Sequence, residues 1–343
     1  MSVDLTSLQS SSRLLFAIAL RPMQGQRFQP TGFPSLGAAT FQTSQGTNLL
    51  VESAQSMANR LEEVCWDPNS KGPVAALNGI SHVRVNLPNG NFLTDTILEA
   101  HRLSSPYLLE GKSSAGFKAL LKAKLGGLAV GPIDRNLLAS TLLHLDLGSL
   151  VHGVFLNKPD LAGGRLRVAR ALSAFIEADG VKVAASGGVK NDHVNPSGDT
   201  KQGFGNVPFA RDEYVAERIT LYVSLDLAQL RGYGLGDDAT RLLTLVALYK
   251  VRRLVEGELR LRTACDFDLV DPQHVVASRP AGYALPSLAA LEADLRSAIA
   301  ACKEMMTTTT VIYSDELKKS KAVAKATEAE GAADDDDDDA AKD

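Results

Sequence analysis

The sequence has few cysteines and no long apolar run. Cys65, Cys265 and Cys302 lie far apart and never in a C-x-x-C spacing, which excludes a disulfide framework and a structural zinc site. We therefore expect reduced thiols. The apolar stretch "RLLFAIAL" at 13–20 is too short for a membrane span and lacks the flanks of a signal peptide. We expect a cytoplasmic protein with no membrane partner.

Motifs for catalysis and for cofactor binding are also missing. The six histidines show neither an H-x-x-x-H nor an H-E-x-x-H spacing, and the sequence contains no G-x-S-x-G and no phosphate-binding loop. The glycine-rich "GYGLGDD" at 232–238 is typical of a turn. His152, near Asp146, resembles a general base, but we interpret it as a structural histidine within a strand "SLVHGVFL". We therefore predict no catalytic residue, no metal site and no cofactor.

Negative charge is concentrated at the end of the chain. The formal net charge is −4, but residues 328–343 contain nine acids and one lysine, so the rest of the chain carries +4. A mildly basic body is typical of a nucleic-acid binder. We predict one folded domain over 1–315 and a disordered acidic tail over 316–343.

The stretch "VESAQSMANRLE" at 51–62 predicts a helix that binds an anion. Apolar residues recur at helical spacing, and Ser53 is a plausible N-cap. Unpaired N–H groups in a first helical turn attract phosphate. An ordinary capped surface helix is the alternative. The candidate side chains on this helix are Ser53, Gln55, Ser56, Asn59 and Arg60.

The remaining pattern predicts strands, helices and two long excursions. A buried strand at 13–20 precedes a donor-rich loop at 21–48, and 82–93 is typical of a strand and turn. Helices are expected near 94–103, 116–124, 134–145, 165–178, 238–257 and 286–301, and strands at 149–156, 216–230 and 258–267. The second excursion, 186–212, is rich in Gly, Asn and Pro and is interpreted as a projecting loop. The predicted class is α+β, in the strand and helix order of a ferredoxin-like or RRM-like domain with insertions.

Basic and amide side chains outside the opening helix complete the predicted binding set. Three arginines near the start of the predicted helix at 165–178 oppose the helix dipole and fit better beside an anion. The first loop and the second excursion supply further donors. These candidates are Arg21, Gln24, Arg27, Gln29, Arg165, Arg167, Arg170, Lys190, Lys201 and Arg211.

Several of these motifs together resemble a known family. The segments "LRPMQGQRFQPTGFPSLGAA", "VESAQSMANRLE", "GGRLRVARALSAFIEA" and "SGGVK" closely resemble the Csb-family RAMP protein of type I-G (formerly I-U) CRISPR systems. The resemblance extends from about Arg13 to Cys302. "SAQSMANR" is similar to the element of Cascade backbone proteins that touches the guide RNA backbone, although a basic pair elsewhere is replaced here by Asn59 and Arg60. Residues 186–212 are similar to the family's thumb.

The resemblance implies a backbone subunit of the Cascade effector, with an RRM-like palm. Such a subunit is not an enzyme and forms a helical filament along the CRISPR guide RNA in antiviral defence. Its partners are the guide RNA, further copies of itself, other Cascade subunits and, through the guide, the target DNA strand. Two rivals stay open. One is a RAMP-family endoribonuclease acting on guide or target RNA, with Asp192 or Asp199 in the thumb, and the other is a nucleotide-dependent enzyme.

Overall fold

The computed structural model describes residues 2–33, 37–257 and 259–315. The predicted acidic tail at 316–343 lies outside the described residues. The helices, in chain order, are α1 Thr6–Gln9, α2 Ala54–Glu63, α3 Pro106–Leu109, α4 Ala115–Leu125, α5 Arg135–Leu145, α6 Gly148–His152, α7 Leu227–Gly232, α8 Asp237–Glu256 and α9 Leu288–Ala301. The strands are β1 Arg13–Pro22, β2 Gly32–Phe33, β3 Gly37–Ala38, β4 Thr40–Thr43, β5 Gly46–Glu52, β6 Trp66–Asp67, β7 Gly72–Pro73, β8 His82–Asn86, β9 Phe92–Asp95, β10 Val154–Leu156, β11 Leu166–Val168, β12 Leu172–Asp179, β13 Lys182–Lys190, β14 Val207–Val215, β15 Arg218–Asp226, β16 Leu259–Arg262, β17 Cys265–Leu269, β18 Val276–Ser278, β19 Ala281–Ala284 and β20 Thr308–Ile312.

Two compact units make up the chain. The first comprises the described residues between 2 and 183 and between 213 and 314, and the second comprises Ala184–Asp212 and Asp315. The described part of the second unit is dominated by a two-stranded ribbon, in which β13 pairs with β14. We call residues 184–212 the ribbon. The sequence predicts an irregular loop there, and the structure instead has two strands and a single 3-10 turn at Thr200–Gln202.

A seven-stranded sheet forms the centre of the first unit, with the order β16-β17-β1-β15-β12-β5-β4. Neighbouring strands are antiparallel, and β1 pairs with β15 over its whole first part, from Arg13 opposite Asp226 to Leu20 opposite Ile219. Alternate residues of both strands are buried because successive side chains in a strand point to opposite faces. The predicted α+β class is confirmed, and so is the predicted buried first strand.

Helices cover one face of this sheet. The helix α2 packs against β12 and α8, and α8 packs against α9. Met57 and Leu61 are buried on α2 at a spacing of four residues, which places them on one face of the helix. The predictions of α2, α4, α5, α8 and α9 are confirmed, with ends within a few residues of those expected.

The helix predicted at 165–178 is wrong, because these residues form β11 and β12. Burial in β12 alternates from Leu172 to Asp179, with every second residue in the core. Its backbone pairs with β15 on one side and with β5 on the other. Two ladders of tertiary hydrogen bonds outweigh the local helix propensity of this segment, whose arginine and alanine content favours a helix.

Smaller errors of the sequence prediction have local causes. The strand expected at 149–156 is α6 followed by β10, because Gly153 turns the chain with a φ of +81°. A side chain at Gly153 would lie 2.8 Å from the carbonyl oxygen of Val168, so only glycine fits there. The helix expected near 94–103 is reduced to a 3-10 turn at Arg102–Ser104 after β9. The strand expected at 258–267 is a hairpin, β16 and β17, and the first loop contains β2, β3, β4 and the start of β5.

Candidate nucleic-acid interface

The start of α2 confirms the predicted N-cap. The Ser53 hydroxyl oxygen accepts a hydrogen bond from the Ser56 backbone N–H at 3.2 Å. The Ser56 hydroxyl donates to the Glu52 carboxylate, the last residue of β5. Both hydroxyls that the sequence assigned to an anion therefore bind groups of the chain itself.

Arg60 is partly buried, and its guanidinium binds groups of the chain itself. Its Nε donates to Glu52 Oε1 at 3.2 Å, and its two terminal nitrogens donate to the carbonyl oxygens of Arg260 at 3.2 Å and Leu261 at 2.6 Å. Arg262 binds the other oxygen of the same carboxylate. Glu52 is only 1% exposed, so two guanidinium groups share one buried anion. We call Glu52, Ser56, Arg60 and Arg262 the Glu52 cluster.

A large cleft lies elsewhere in the first unit and is dominated by arginine. Its volume is about 1500 Å³, and its lining includes Arg102, Arg135, Arg165, Arg167 and Arg170 against a single carboxylate, Asp226. Gln55 at the start of α2 also lines it. We call this space the arginine cleft. It brings together four of the side chains that the sequence predicted to bind RNA, namely Gln55, Arg165, Arg167 and Arg170.

Three of these five arginines also bind groups of the chain. Buried Arg102 pairs with Glu62 of α2 through two hydrogen bonds, of which the Nε to Oε1 distance is 2.8 Å. Arg165 donates to backbone carbonyl oxygens, among them that of Leu128 at 3.1 Å. Arg170 donates to the Ala54 carbonyl oxygen and to Gln55 Oε1, both at 2.8 Å. These three arginines shape the wall of the cleft.

Arg135 and Arg167 differ from the other three. Both side chains are exposed, and among the described residues neither guanidinium has a hydrogen bond or an ion pair. Arg135 is the first residue of α5, where a positive charge opposes the helix dipole. Asp226, the one acid of the lining, pairs with Arg13 at 2.9 Å and caps α7 through the Gln229 N–H. The cleft therefore keeps two uncompensated cations for a ligand.

His152 lies at the floor of the cleft with a neutral side chain. It is 2% exposed, and neither ring nitrogen has a hydrogen-bond partner among the described residues. Burial lowers the pKa of His152 well below its ordinary value of 6.5, and the charges of Lys250, Arg102 and Arg170 lower it further. The residue ends α6, so the predicted strand position is wrong and a structural role as an uncharged imidazole fits its surroundings.

Glu62 is the buried acid behind the cleft. Burial raises the pKa of Glu62 to about 7, and the charges of Arg102 and Lys250 oppose the rise. The carboxylate is therefore costly to ionise without the Arg102 guanidinium. Through this pair, α2 is linked to the wall of the arginine cleft.

The predicted residues of the first loop lie apart from the cleft lining. Arg21 pairs with Asp268 at 3.1 Å, and Gln24 and Arg27 are exposed. The backbone of Gln29 is bound on both sides, since its N–H donates to Ala264 at 2.8 Å and its carbonyl oxygen accepts from Arg262 at 3.2 Å. This part of the loop is therefore attached to Arg262 of the Glu52 cluster. Asn59 is exposed on α2 and accepts a weak hydrogen bond from Gln55 at 3.4 Å.

The ribbon carries the remaining predicted residues. Lys190 and Lys201 are exposed, and Arg211 is partly buried. Asp192 has a structural role there, because its carboxylate accepts hydrogen bonds from the backbone N–H groups of Val194, Asn195 and Gly205. These bonds lower the pKa of Asp192. Asp199 likewise accepts from the Lys201 N–H at 3.0 Å.

The comparison with protein families adds an independent observation. A family model described as "CRISPR-associated protein GSU0053" matches residues 14–183. This match supports a CRISPR-associated protein. The matched segment contains all five arginines of the cleft and most of the Glu52 cluster, with only Arg262 outside it.

Comparisons with individual proteins provide less information than the family model does. No curated protein sequence matches the chain. A solved chain described as "CRISPR RNA-guided surveillance complex, pre-nicking" is 12% identical with a TM-score of 0.37, over 70% of this chain and 68% of that chain. None of the helices in the described ranges has the length and apolar character of a membrane span. The same ranges hold no group of three or more His, Cys, Asp or Glu side chains placed to bind a metal ion.

The sequence analysis missed several residues of the cleft. Arg135 carried a usable signal, because it follows the N-cap Asp134 and so puts a cation in a first helical turn. His101 and Arg102 were hidden inside a predicted helix, and Phe155 inside a predicted strand. Nothing in the local sequence of these residues indicates that they share a cavity.

Proposed function

We propose that the chain is a non-catalytic, CRISPR RNA-binding backbone subunit of a type I-G Cascade effector, from the Csb family of RAMP proteins. It oligomerises along the guide RNA, binds other Cascade subunits, and presents the guide for pairing with the target DNA strand. The alternative is a RAMP-family endoribonuclease. The family match supports the CRISPR assignment.

The charge of the arginine cleft carries the proposal of RNA binding. Five arginines and one carboxylate line it, and Arg135 and Arg167 have no anion of their own among the described residues. Its volume of about 1500 Å³ exceeds the ~300–1,000 Å³ of small-molecule pockets, which favours a polymer. Arginine contacts to phosphate carry no base identity, as a protein that holds many different guides requires.

The strand order supports an RRM-like palm. Along the chain, β1, α2, β12, β15, α8 and β17 follow one another as strand, helix, strand, strand, helix, strand. In the sheet they lie in the order β17-β1-β15-β12, so the fourth strand of this set is beside the first and the third beside the second. This is the arrangement of a ferredoxin-like domain. The strand β16 on one side and the strands β5 and β4 on the other extend it.

The proposed assembly needs a contact that repeats between copies. A head-to-tail contact between two different surfaces produces an open helix, whereas a contact of one surface with itself stops at a dimer. A filament along RNA therefore requires a head-to-tail contact. The ribbon carries exposed apolar side chains that are available for such a contact, namely Val189, Val194, Phe204 and Phe209.

The absence of catalysis is part of the proposal and has its own test. Asp192 and Asp199, the candidate acids of the rival ribonuclease, each accept backbone hydrogen bonds in the ribbon. Labelled guide and target RNAs incubated with the protein and Mg²⁺ should stay intact. Cleavage that Asp192→Asn or Asp199→Asn abolishes would favour the rival.

Binding is tested by fluorescence anisotropy with two single-stranded RNAs of unrelated sequence. We expect similar affinities for both, and a salt dependence that becomes shallower by roughly 1.4 in the double variant Arg135→Ala/Arg167→Ala, since each lost phosphate contact removes ~0.7 from the slope. Arg296→Ala is the matched control, because this exposed arginine lies on α9 outside the cleft lining. An unchanged slope in the double variant would show that the RNA lies elsewhere.

A further inference from the structure

Phe155 is the aromatic side chain exposed in the arginine cleft. It lies on β10 between Val154 and Leu156, which are both buried, and is itself 50% exposed. Successive side chains of a strand point to opposite faces, so Phe155 points away from the core that its neighbours enter. It lines the cleft together with the arginines described above.

Arg167 is the direct cross-strand neighbour of Phe155. The strands β10 and β11 are antiparallel, and their register places Phe155 opposite Arg167. Side chains in directly opposite positions lie on the same face with Cβ atoms about 4.5–5.5 Å apart. An exposed aromatic ring and a guanidinium without an intrachain anion among the described residues are therefore neighbours on one wall of the cleft.

This pair fits a ligand in which a flat aromatic group and an anion are a few ångströms apart. A nucleotide has this combination, since its base can lie on the ring while its phosphate meets the guanidinium. A duplex hides the faces of its bases within the stack, whereas a single strand exposes them. A cleft that bound phosphate alone would gain nothing from an exposed phenyl ring.

We infer that Phe155 stacks one nucleobase of a single-stranded RNA while Arg167 binds an adjacent phosphate. This inference rests on the proposed function and adds that the cleft recognises unpaired bases besides the sugar-phosphate backbone. Stacking tolerates any base, because every base has an aromatic face. The contact therefore adds affinity without imposing a guide sequence.

The experiment compares two oligomers with the same number of phosphates. One is oligouridine, and the other is built from abasic spacers that keep the sugar-phosphate backbone. For the wild-type protein we expect oligouridine to bind more tightly by about fivefold to 100-fold, the effect of stacking one base. Phe155→Leu should reduce this ratio towards one with little change in the affinity for the abasic oligomer, and Phe155→Tyr should keep it.

Phe41→Leu is the control, because Phe41 is an exposed phenylalanine of β4 that does not line the cleft. It should leave the ratio unchanged. Thermal unfolding of each variant checks that the fold is retained, as expected for a half-exposed residue. A wild-type protein that binds both oligomers equally, or a Phe155→Leu variant with the wild-type ratio, overturns the stacking inference and leaves the proposed function standing. A wild-type protein that binds neither overturns both.

Discussion

The Glu52 cluster and the arginine cleft both place arginines near the start of α2, yet they use them in opposite ways. In the cluster, Arg60 and Arg262 converge on one buried carboxylate and on backbone carbonyl oxygens. In the cleft, Arg135 and Arg167 are exposed and lack such partners among the described residues. The cluster therefore holds the fold together, and the cleft retains charge for a ligand.

The difference shows that an arginine's role depends on whether an anion is folded against it. Arg60 is separated by 201 residues from Leu261, one of the acceptors that hold it, and Arg262 by 210 residues from Glu52. A sequence motif can identify a helix and its cap, but it contains no information on an acceptor brought in from the far end of the chain. The motif "SAQSMANR" therefore indicated the right helix and left the partners of its arginine open.

Arg102 is the exception to this comparison and gives the largest expected effect. It lines the cleft, but it is paired with a buried carboxylate as the arginines of the Glu52 cluster are. Its guanidinium and the Glu62 carboxylate are both buried. Removing one partner of a buried ion pair leaves an uncompensated charge, so Arg102→Met should lower the free energy of unfolding by about 3–5 kcal/mol. Urea unfolding followed by the fluorescence of Trp66, the single tryptophan, measures it.

The double variant Arg102→Met/Glu62→Leu provides the control for this prediction. It removes both charges and should recover part of the loss, because no unpaired ion is left in the interior. Two single variants whose effects simply add would contradict the pairing. A loss below about 1 kcal/mol for Arg102→Met would place the arginine with the exposed residues of the cleft.

Arg60 and Arg167 test the comparison directly, with a smaller expected effect on stability. The sequence analysis predicts that Arg60 contacts phosphate, whereas its observed partners are Glu52 and two carbonyl oxygens. We expect Arg60→Ala to lower the free energy of unfolding by about 1–3 kcal/mol, since it leaves buried polar groups unsatisfied, and to leave the salt dependence of RNA binding unchanged. Arg167→Ala should do the reverse, with a stability change within ~0.5 kcal/mol and a slope shallower by ~0.7.

Salt titrations and urea unfolding on the same two variants decide between these roles. If Arg60→Ala flattens the salt dependence while the fold stays as stable as wild type, the original prediction of a phosphate contact is right. If Arg167→Ala lowers stability instead, the cleft wall is structural throughout.

Elements whose signal is local were predictable, and elements set by distant pairing were not. The strand β1 and the helices α2 and α8 were confirmed because apolar residues recur at the strand or helix period within one segment. The prediction for 165–178 failed because β12 is specified by its pairing with β5 and β15, which are separated from it in the sequence by turns and insertions. Gln55, Arg165, Arg167 and Arg170, which the sequence analysis predicts to bind RNA, line one cleft, but the cleft also requires α5, α7 and β10, which no motif connects to them.

The smallest expected effect is a pH dependence of the free energy of unfolding that comes from His152 alone. Its side chain is neutral in a cleft that is lined by arginines. Its folded-state pKa lies well below 6.5, so below pH 6.5 the unfolded chain binds a proton that the folded protein excludes. The stability that depends on neutral His152 is fully present above about pH 6.5 and is lost as the pH falls below it. His152→Leu has no such proton to exclude, and its free energy of unfolding should improve relative to wild type by about 1.4 kcal/mol between pH 7.5 and 5.5.

The comparison between the two proteins isolates this group from the others that titrate nearby. Glu62, with a pKa raised to about 7, contributes in the opposite direction, because the folded protein keeps its proton in a range where the unfolded chain has lost it. That contribution is present in both wild type and variant and cancels in their difference. Urea unfolding at pH 7.5 and 5.5 therefore measures His152 itself, and a stability difference that does not change with pH would mean that the imidazole is charged or paired in the folded protein.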